Sequence, residues 1–270
     1  MSSHLSLLRN RPSTGGTSFS RPGFKVYMRV ANGVGGDPSG YPGYAYYENL
    51  GIGYAYDVGL HSITVQATVE ADFNARNTNA RMFFLDWESG GDTATNWQNV
   101  LTWCHGISTA KPVGIYGFSA PLGYPVFQYP NQWGEPNRIT TQATNDSNIG
   151  IVTGVAPANC EMVGPELYCN GNVDRTAVNL MWYCKEYTRL GLSMPMIPLI
   201  NPRYPPGRIS GTVSAAYFRA MLEIAIRQPN VAGVFIWHAD RGTAWDVAEG
   251  WLVQTLDFIT TYGLTIGTPF

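Results

Sequence analysis

Short, mostly apolar runs alternate along the chain with stretches whose apolar residues recur every three to four positions. Phe24 to Val30 opens the series just after Pro22-Gly23. Arg81 to Trp87, Val113 to Phe118, Ile149 to Val155, Met162 to Tyr168, Pro195 to Ile200 and Val231 to Trp237 continue it. Cores such as Met82 to Leu85 and Gly233 to Ile236 suit parallel strands, which are covered on both faces. The intervening stretches have helical spacing. Trp97, Val100, Leu101 and Cys104 follow an Asp92-Thr93 cap, and Val178, Met181, Trp182 and Lys185 follow Asp174. Tyr217, Phe218, Met221, Leu222 and Ala225 make one face of a helix over Ser214 to Arg227, and an amphipathic stretch runs from Ala244 to Tyr262. The Gly/Tyr-rich region from Gly33 to Tyr56 predicts a further short strand near Tyr44 to Tyr47. Residues 58–77 read as a helix, against the strand preference of Ile63, Thr64 and Val65, and a further helix is expected near 137–146.

Eight strands interleaved with helices are the pattern of an α/β protein of the (β/α)8, TIM-barrel type. It is expected as one domain over residues 23–270, behind a flexible arm, 1–22, rich in Gly, Ser and Thr near its end. A doubly wound open sheet is the alternative. No Gly-x-Gly-x-x-Gly follows a strand and no phosphate loop is present, which leaves that alternative without its usual signals.

Composition removes several function classes. Seventeen basic and 19 acidic residues give a net charge of -2, against the basic excess expected of a nucleic-acid protein. With 44% hydrophobic and 13% charged residues, the chain has the means to bury a core. No apolar run approaches the roughly 18 residues of a membrane span, and the first dozen residues do not read as a signal peptide. The four cysteines (104, 160, 169 and 184) form no Cys-x-x-Cys pair, so zinc-ribbon and thioredoxin readings fall away. A bridge between Cys160 and Cys169 stays open. His238 and Asp240 lack a third ligand at suitable spacing, so neither metal nor cofactor is expected.

Chemistry in such a barrel sits at the carboxyl ends of the strands. Those ends carry Asp86-Trp87-Glu88, Tyr116, Glu166 with Tyr168, Arg203, and Trp237 followed by Asp240. Asp86 and Glu88 are spaced i, i+2, so both face the same side of a strand about 6.7 Å apart. Two carboxyls in a barrel mouth can divide labour, one kept protonated and the other ionised, as glycoside hydrolysis requires. The bland reading is that Asp86 caps a turn and Glu88 is solvated. Glu166 is either a second rim carboxylate or the partner of Arg203. Arg203 and Arg241 either hold an acidic sugar or neutralise Glu166 and Asp240.

Leu85-Asp86-Trp87-Glu88 followed by Asn96-Trp97 resembles the hyaluronidase family of glycoside hydrolases, and the Asp-x-Glu with a nearby Ile-Tyr strand is also similar to phage-type muramidases. The resemblance implies a barrel in which Glu88 is the general acid and Asp86 orients the substrate's own N-acetyl group as nucleophile. It also implies that Tyr116, Tyr168 and Trp237 shape the sugar cleft. The expected partner is a polysaccharide containing N-acetylhexosamine, with no nucleic acid and no membrane. The second reading is a non-catalytic glycan-binding or particle component on a hydrolase-like barrel, assembled as an oligomer or on a virion. The low charge and the basic arm (Arg9, Arg11, Arg21) motivate it.

Overall fold

The apolar runs become strands, and every pairing between them is parallel. The computed structural model describes residues 21–29, 44–59, 66–76, 80–86, 94–107, 111–116, 160–165, 167, 177, 180, 181, 184, 188, 191, 193–202, 213–237 and 250–266. Its strands are β1 (Lys25–Arg29), β2 (Gly53–Gly59), β3 (Met82–Asp86), β4 (Val113–Tyr116), β5 (Met162–Gly164), β6 (Leu199–Ile200) and β7 (Gly233–Ile236). The helices are α1 (Tyr44–Asn49), α2 (Gln66–Arg76), α3 (Ala94–Ile107), α4 (Ala215–Ile226) and α5 (Gly250–Tyr262).

The seven strands follow one another as β5-β4-β3-β2-β1-β7-β6. The two ends of that order also meet. Val163 bridges Met196, and backbone N–H groups of Val163, Ile197, Leu199 and Leu167 reach Pro195, Val163, Pro165 and Leu199 carbonyls at 2.8–3.1 Å. The described residues therefore form a closed parallel barrel with helices outside, an α/β barrel of the TIM type. The strand expected at Ile149 to Val155 lies outside the described residues, and β4 pairs directly with β5.

Strand alternation divides the core in two. Tyr27, Ala55, Met82, Phe84, Met162, Ile197, Leu199 and Phe235 fill the barrel interior. The intervening residues, among them Val26, Tyr54, Phe83, Leu85, Ile115, Val163 and Val234, face outward against helical residues such as Phe73, Leu101, Phe218 and Trp251. Phe73 stacks on Phe83 with centroids 3.9 Å apart, and Phe218 meets Trp251 edge-on at 5.9 Å. The expected face of α4 is buried at Tyr217, Phe218, Met221, Leu222 and Ala225. The helical residues described between 177 and 188 correct the face expected there. Leu180 and Cys184 are buried, while Met181 is 56% exposed.

The strand expected at Tyr44 to Tyr47 is instead the start of α1, and the second strand is β2. Aromatic residues favour strands, yet this segment stops as a helix does. Gly51 takes φ 86, and Ile52 and Gly51 N–H groups return to the Tyr47 and Glu48 carbonyls, closing the last turn with a left-handed glycine. The helix read over 58–77 starts later, at Gln66, because Val58 and Gly59 pair with Leu85 and Asp86 in the sheet.

The amino-terminal end of the barrel is tied down. Arg21 donates to the carbonyls of Ile226 (2.9 Å), Pro229 (2.7 Å) and Gln228, covering the carbonyl end of α4. Lys25 Nζ reaches the Thr265 carbonyl at 2.9 Å. Glu161 accepts from the Val113 N–H at 2.7 Å and lies 3.3 Å from His105 Nε2. Cys104, Cys160 and Cys184 are buried free thiols, so Cys160 forms no bridge with Cys169.

Tyr27 is 1% exposed and its hydroxyl has no hydrogen-bond partner among the described residues. Burial pushes this phenol well above its ordinary range. An unsatisfied buried hydroxyl carries a desolvation penalty that an apolar ring of the same shape avoids. Tyr27→Phe is accordingly expected to stabilise the protein by about 1 kcal/mol. In thermal unfolding that corresponds to a rise of roughly 2–4 °C, and an unchanged or lower midpoint contradicts it.

A second polar group joins α4 to α5. Arg219 donates to Glu223 at 2.9 Å and Asp257 at 2.6 Å, and Tyr262 donates its hydroxyl to Glu223. Burial, then the bond to Glu223, pushes Tyr262 up to about 12. Because the unfolded phenol titrates near 10, this contribution is intact below pH 10 and is lost as pH rises toward 12. Tyr262→Phe is expected to flatten the fall in urea midpoint between pH 10 and 12 relative to wild type. Parallel slopes for the two proteins defeat the assignment.

Candidate active site

Parallel strands bring all seven carboxyl ends to one rim, and alternation decides which residues line it. On β3, Met82 and Phe84 are interior while Phe83 and Leu85 face the helices. Asp86 is the last residue of β3. Its backbone pairs with Gly59 on one side and Tyr116 on the other. Tyr116 in turn pairs with Gly164. The sequence-based candidates Asp86 and Tyr116 are therefore neighbours at one height of the barrel.

Trp237 follows β7 directly. It is half-buried and packs on the interior cluster, and its N–H donates to the Ile200 carbonyl at 2.8 Å. Trp237 lies on the far wall from Asp86, and the layer beneath shows this directly. Phe84, two residues below Asp86, stacks against Phe235, two residues below Trp237, with centroids 5.3 Å apart and planes 23° apart. Side chains packed in layers are how such barrels fill their interior. A Cβ at Gly164 would lie 2.7 Å from both Leu199 and Phe84, so no space opens beneath the rim. The mouth stands on an apolar floor of Phe84, Leu199 and Phe235.

Glu88, Glu166, Tyr168, Arg203 and Asp240 lie outside the described residues. Two strand residues near the rim escaped sequence reasoning, Arg29 and Asp57, whose backbones align with those of Ala55 and Phe84. Asp57 was hidden because its strand was sought at Tyr44, although the alternation in Gly53-Tyr-Ala-Tyr-Asp-Val-Gly59 is a usable signal. Asn201, directly after β6, is 1% exposed. It is the one polar side chain buried at the rim among the described residues, since Lys25 lies at the opposite end of β1 and Thr255 bonds within α5.

Among the described residues no three His, Cys, Asp or Glu side chains gather as a metal site, and no helix is long and apolar enough to cross a membrane. The sequence matches no protein-family model and no curated protein. Solved structures do resemble it. Bee venom hyaluronidase, solved with a hyaluronic acid tetramer, is 13% identical with a TM-score of 0.39, over 90% of this chain and 85% of that one. The spore cortex-lytic enzyme SleL of Bacillus megaterium QM B1551 is 12% identical with a TM-score of 0.47, over 90% and 69%. A GH113 β-1,4-mannanase is 11% identical with a TM-score of 0.45, over 89% and 86%. At such identities the likeness concerns barrel architecture and not activity.

Proposed function

We propose that the protein is a glycoside hydrolase that cleaves a polysaccharide containing N-acetylhexosamine, with Glu88 as general acid and Asp86 as its partner. What supports this reading is the register at the carboxyl end of β3, where the Asp86 backbone pairs with that of Tyr116, on a strand that lies across the barrel from β7. A carboxyl two residues further along the same strand direction would share the side of Asp86.

In this scheme Glu88 gives its proton to the glycosidic oxygen as the bond to the anomeric carbon breaks. The acetamido carbonyl oxygen of the same sugar closes on that carbon, and the Asp86 carboxylate holds the acetamido N–H and stabilises the positive charge that develops. Glu88 then takes a proton from the water that opens the ring so formed, and retention results. Tyr116, Tyr168 and Trp237 shape the cleft, with Glu166, Arg203 and Asp240 contacting the glycan further along the rim. None of these steps uses a metal or a cofactor.

The test is to incubate the protein with chitin oligosaccharides, hyaluronan, peptidoglycan and a β-1,4-mannan, and to measure reducing ends and product anomers. Release from an N-acetylhexosamine glycan with retention is expected. Binding without release from any of them refutes the hydrolase and supports the non-catalytic reading.

A further inference from the structure

The amino-terminal end of the barrel, away from the mouth, gathers hydrogen-bond donors that the packing leaves unused. Phe83 pairs with Val113, and its N–H donates to the Pro112 carbonyl at 2.9 Å. That register, carried back two residues, sets Arg81 and Lys111 on adjacent strands about 4.8 Å apart. Arg81 is held in place. Its Nε and Nη2 donate to the two Glu48 carboxylate oxygens at 2.8 and 3.2 Å, a two-point grip that fixes the plane of the guanidinium. Its stem reaches the start of β2, where a Cβ on Gly53 would lie 3.7 Å from Arg81 Cγ and 2.9 Å from Tyr27 Cδ1. The edge of the Tyr27 ring and the Arg81 side chain therefore share the space over Gly53.

The acids at this end are already occupied. Glu48 is taken up by Arg81 through both oxygens, and Glu161 by the Val113 N–H and His105. Lys111 is half-buried and, among the described residues, belongs to no ion pair. Burial, and then the Arg81 cation beside it, holds this ammonium below its ordinary range, as desolvation and a like charge do. The Tyr27 hydroxyl is the innermost donor, 1% exposed and without an acceptor. An arginine carries five N–H groups, a lysine three and a tyrosine one O–H, so donors and positive charge both remain in excess once Glu48 is satisfied. The Arg81 side chain is 46% exposed, which leaves the group open to solvent on its outer side.

We propose that Arg81, Lys111 and Tyr27 form a binding site for a phosphate-sized oxyanion at the amino-terminal end of the barrel, with Lys111 supplying the charge and Tyr27 the inner hydrogen bond. The site is separate from the carboxyl-end mouth and stands whether or not that mouth cleaves glycans. A tetrahedral anion presents acceptors in several directions, and the donors here arrive from β1, from the start of β3 and from the segment before β4. Its arrival relieves the like-charge contact between Arg81 and Lys111 and gives the phenol the acceptor it lacks.

The experiment is calorimetric titration of the full chain with inorganic phosphate and, separately, with glycerol 3-phosphate, in chloride buffers of matched ionic strength. Saturable binding is expected. Tighter binding of phosphate assigns the site to the free ion, and tighter binding of the ester assigns it to a phosphorylated small molecule. Lys111→Met, which keeps the apolar stem, is expected to weaken binding about tenfold or more, the usual worth of a hydrogen bond to a charged group. Tyr27→Phe is expected to weaken it about fivefold while still raising the thermal midpoint in chloride alone, a split that a merely structural tyrosine does not produce. Arg227→Gln removes one cation outside the group and should bind as wild type does. The absence of saturable binding by wild type overturns the proposal, and so does wild-type affinity in Lys111→Met or Tyr27→Phe. An equal loss in Arg227→Gln also overturns it, because attraction would then come from overall charge.

Discussion

Glu88→Gln is expected to lower glycan cleavage by roughly 10²- to 10⁴-fold, the usual worth of a positioned general acid, while the thermal midpoint and oligosaccharide affinity stay near wild type. Glutamine keeps the shape and hydrogen-bonding reach of the side chain and removes only the proton that the leaving oxygen needs. Asp86→Asn is expected to cut kcat comparably through a different route. It removes the charge that stabilises the cationic intermediate, and the measurement that separates the two is the pH profile. A carboxylate close to a second carboxyl favours the protonated form of its neighbour. Removing the Asp86 charge should therefore let Glu88 lose its proton earlier, moving the alkaline limb of kcat/KM to lower pH. The limbs report the pair rather than either residue alone. If Glu88→Gln retains wild-type activity, the acid is elsewhere on the rim. If Asp86→Asn leaves the profile in place, the two carboxyls do not share the mouth.

The Asp-x-Glu pattern was legible because it follows a wholly apolar strand, and the parallel barrel was legible for the same reason. Runs such as Met82–Leu85 and Gly233–Ile236 are buried on both faces, one set of side chains filling the barrel and the other meeting the helices. That double burial hides the phase, however. When every position is apolar, sequence does not say which residues point inward, and the phase of β3 emerges only once Phe84 is seen against Phe235. The segment from Tyr44 to Gly59 misled for another reason. Its tyrosines have strand propensity, but two of them serve as large buried surfaces in different settings, Tyr47 in a helix and Tyr54 in a strand, both 1% exposed or less. Tertiary burial outweighed local preference there, and only Gly51 before Ile52 marked the helix end. Asn201 stands at a strand end in the sequence but takes no role there, because a lone amide before a proline reads as a turn. It takes the ring of strands to turn it into a buried rim position.

The largest effect on stability is expected from Gly114→Ala. A Cβ at this position would lie 2.6 Å from the Met162 carbonyl oxygen and 2.3 Å from Met162 Cγ. Gly114 pairs with Met162 across β4 and β5, so the obstruction is the backbone of the adjacent strand and not the tip of a side chain that could turn away. Relief requires the two strands to part just below Tyr116. Overpacking of this kind costs roughly 1–3 kcal/mol and sometimes more, and the backbone partner puts Gly114→Ala at the upper end, about 3 kcal/mol. Gly233→Ala should behave alike, its Cβ meeting the Lys25 carbonyl oxygen at 2.4 Å on β1. The same chemical change made at Gly106 provides the contrast. Gly106 is exposed in α3, with nothing within 4 Å of an added Cβ, and alanine there should stabilise by about 0.8 kcal/mol through helix propensity. Urea unfolding of the three variants is therefore expected to give midpoints displaced in opposite directions, with the barrel glycines down and the helix glycine up. Losses at Gly114 and Gly233 no larger than a few tenths of a kcal/mol would mean that β4–β5 and β1–β7 are not held in this close register, and the height at which Asp86, Tyr116 and Trp237 meet the mouth would have to be redrawn.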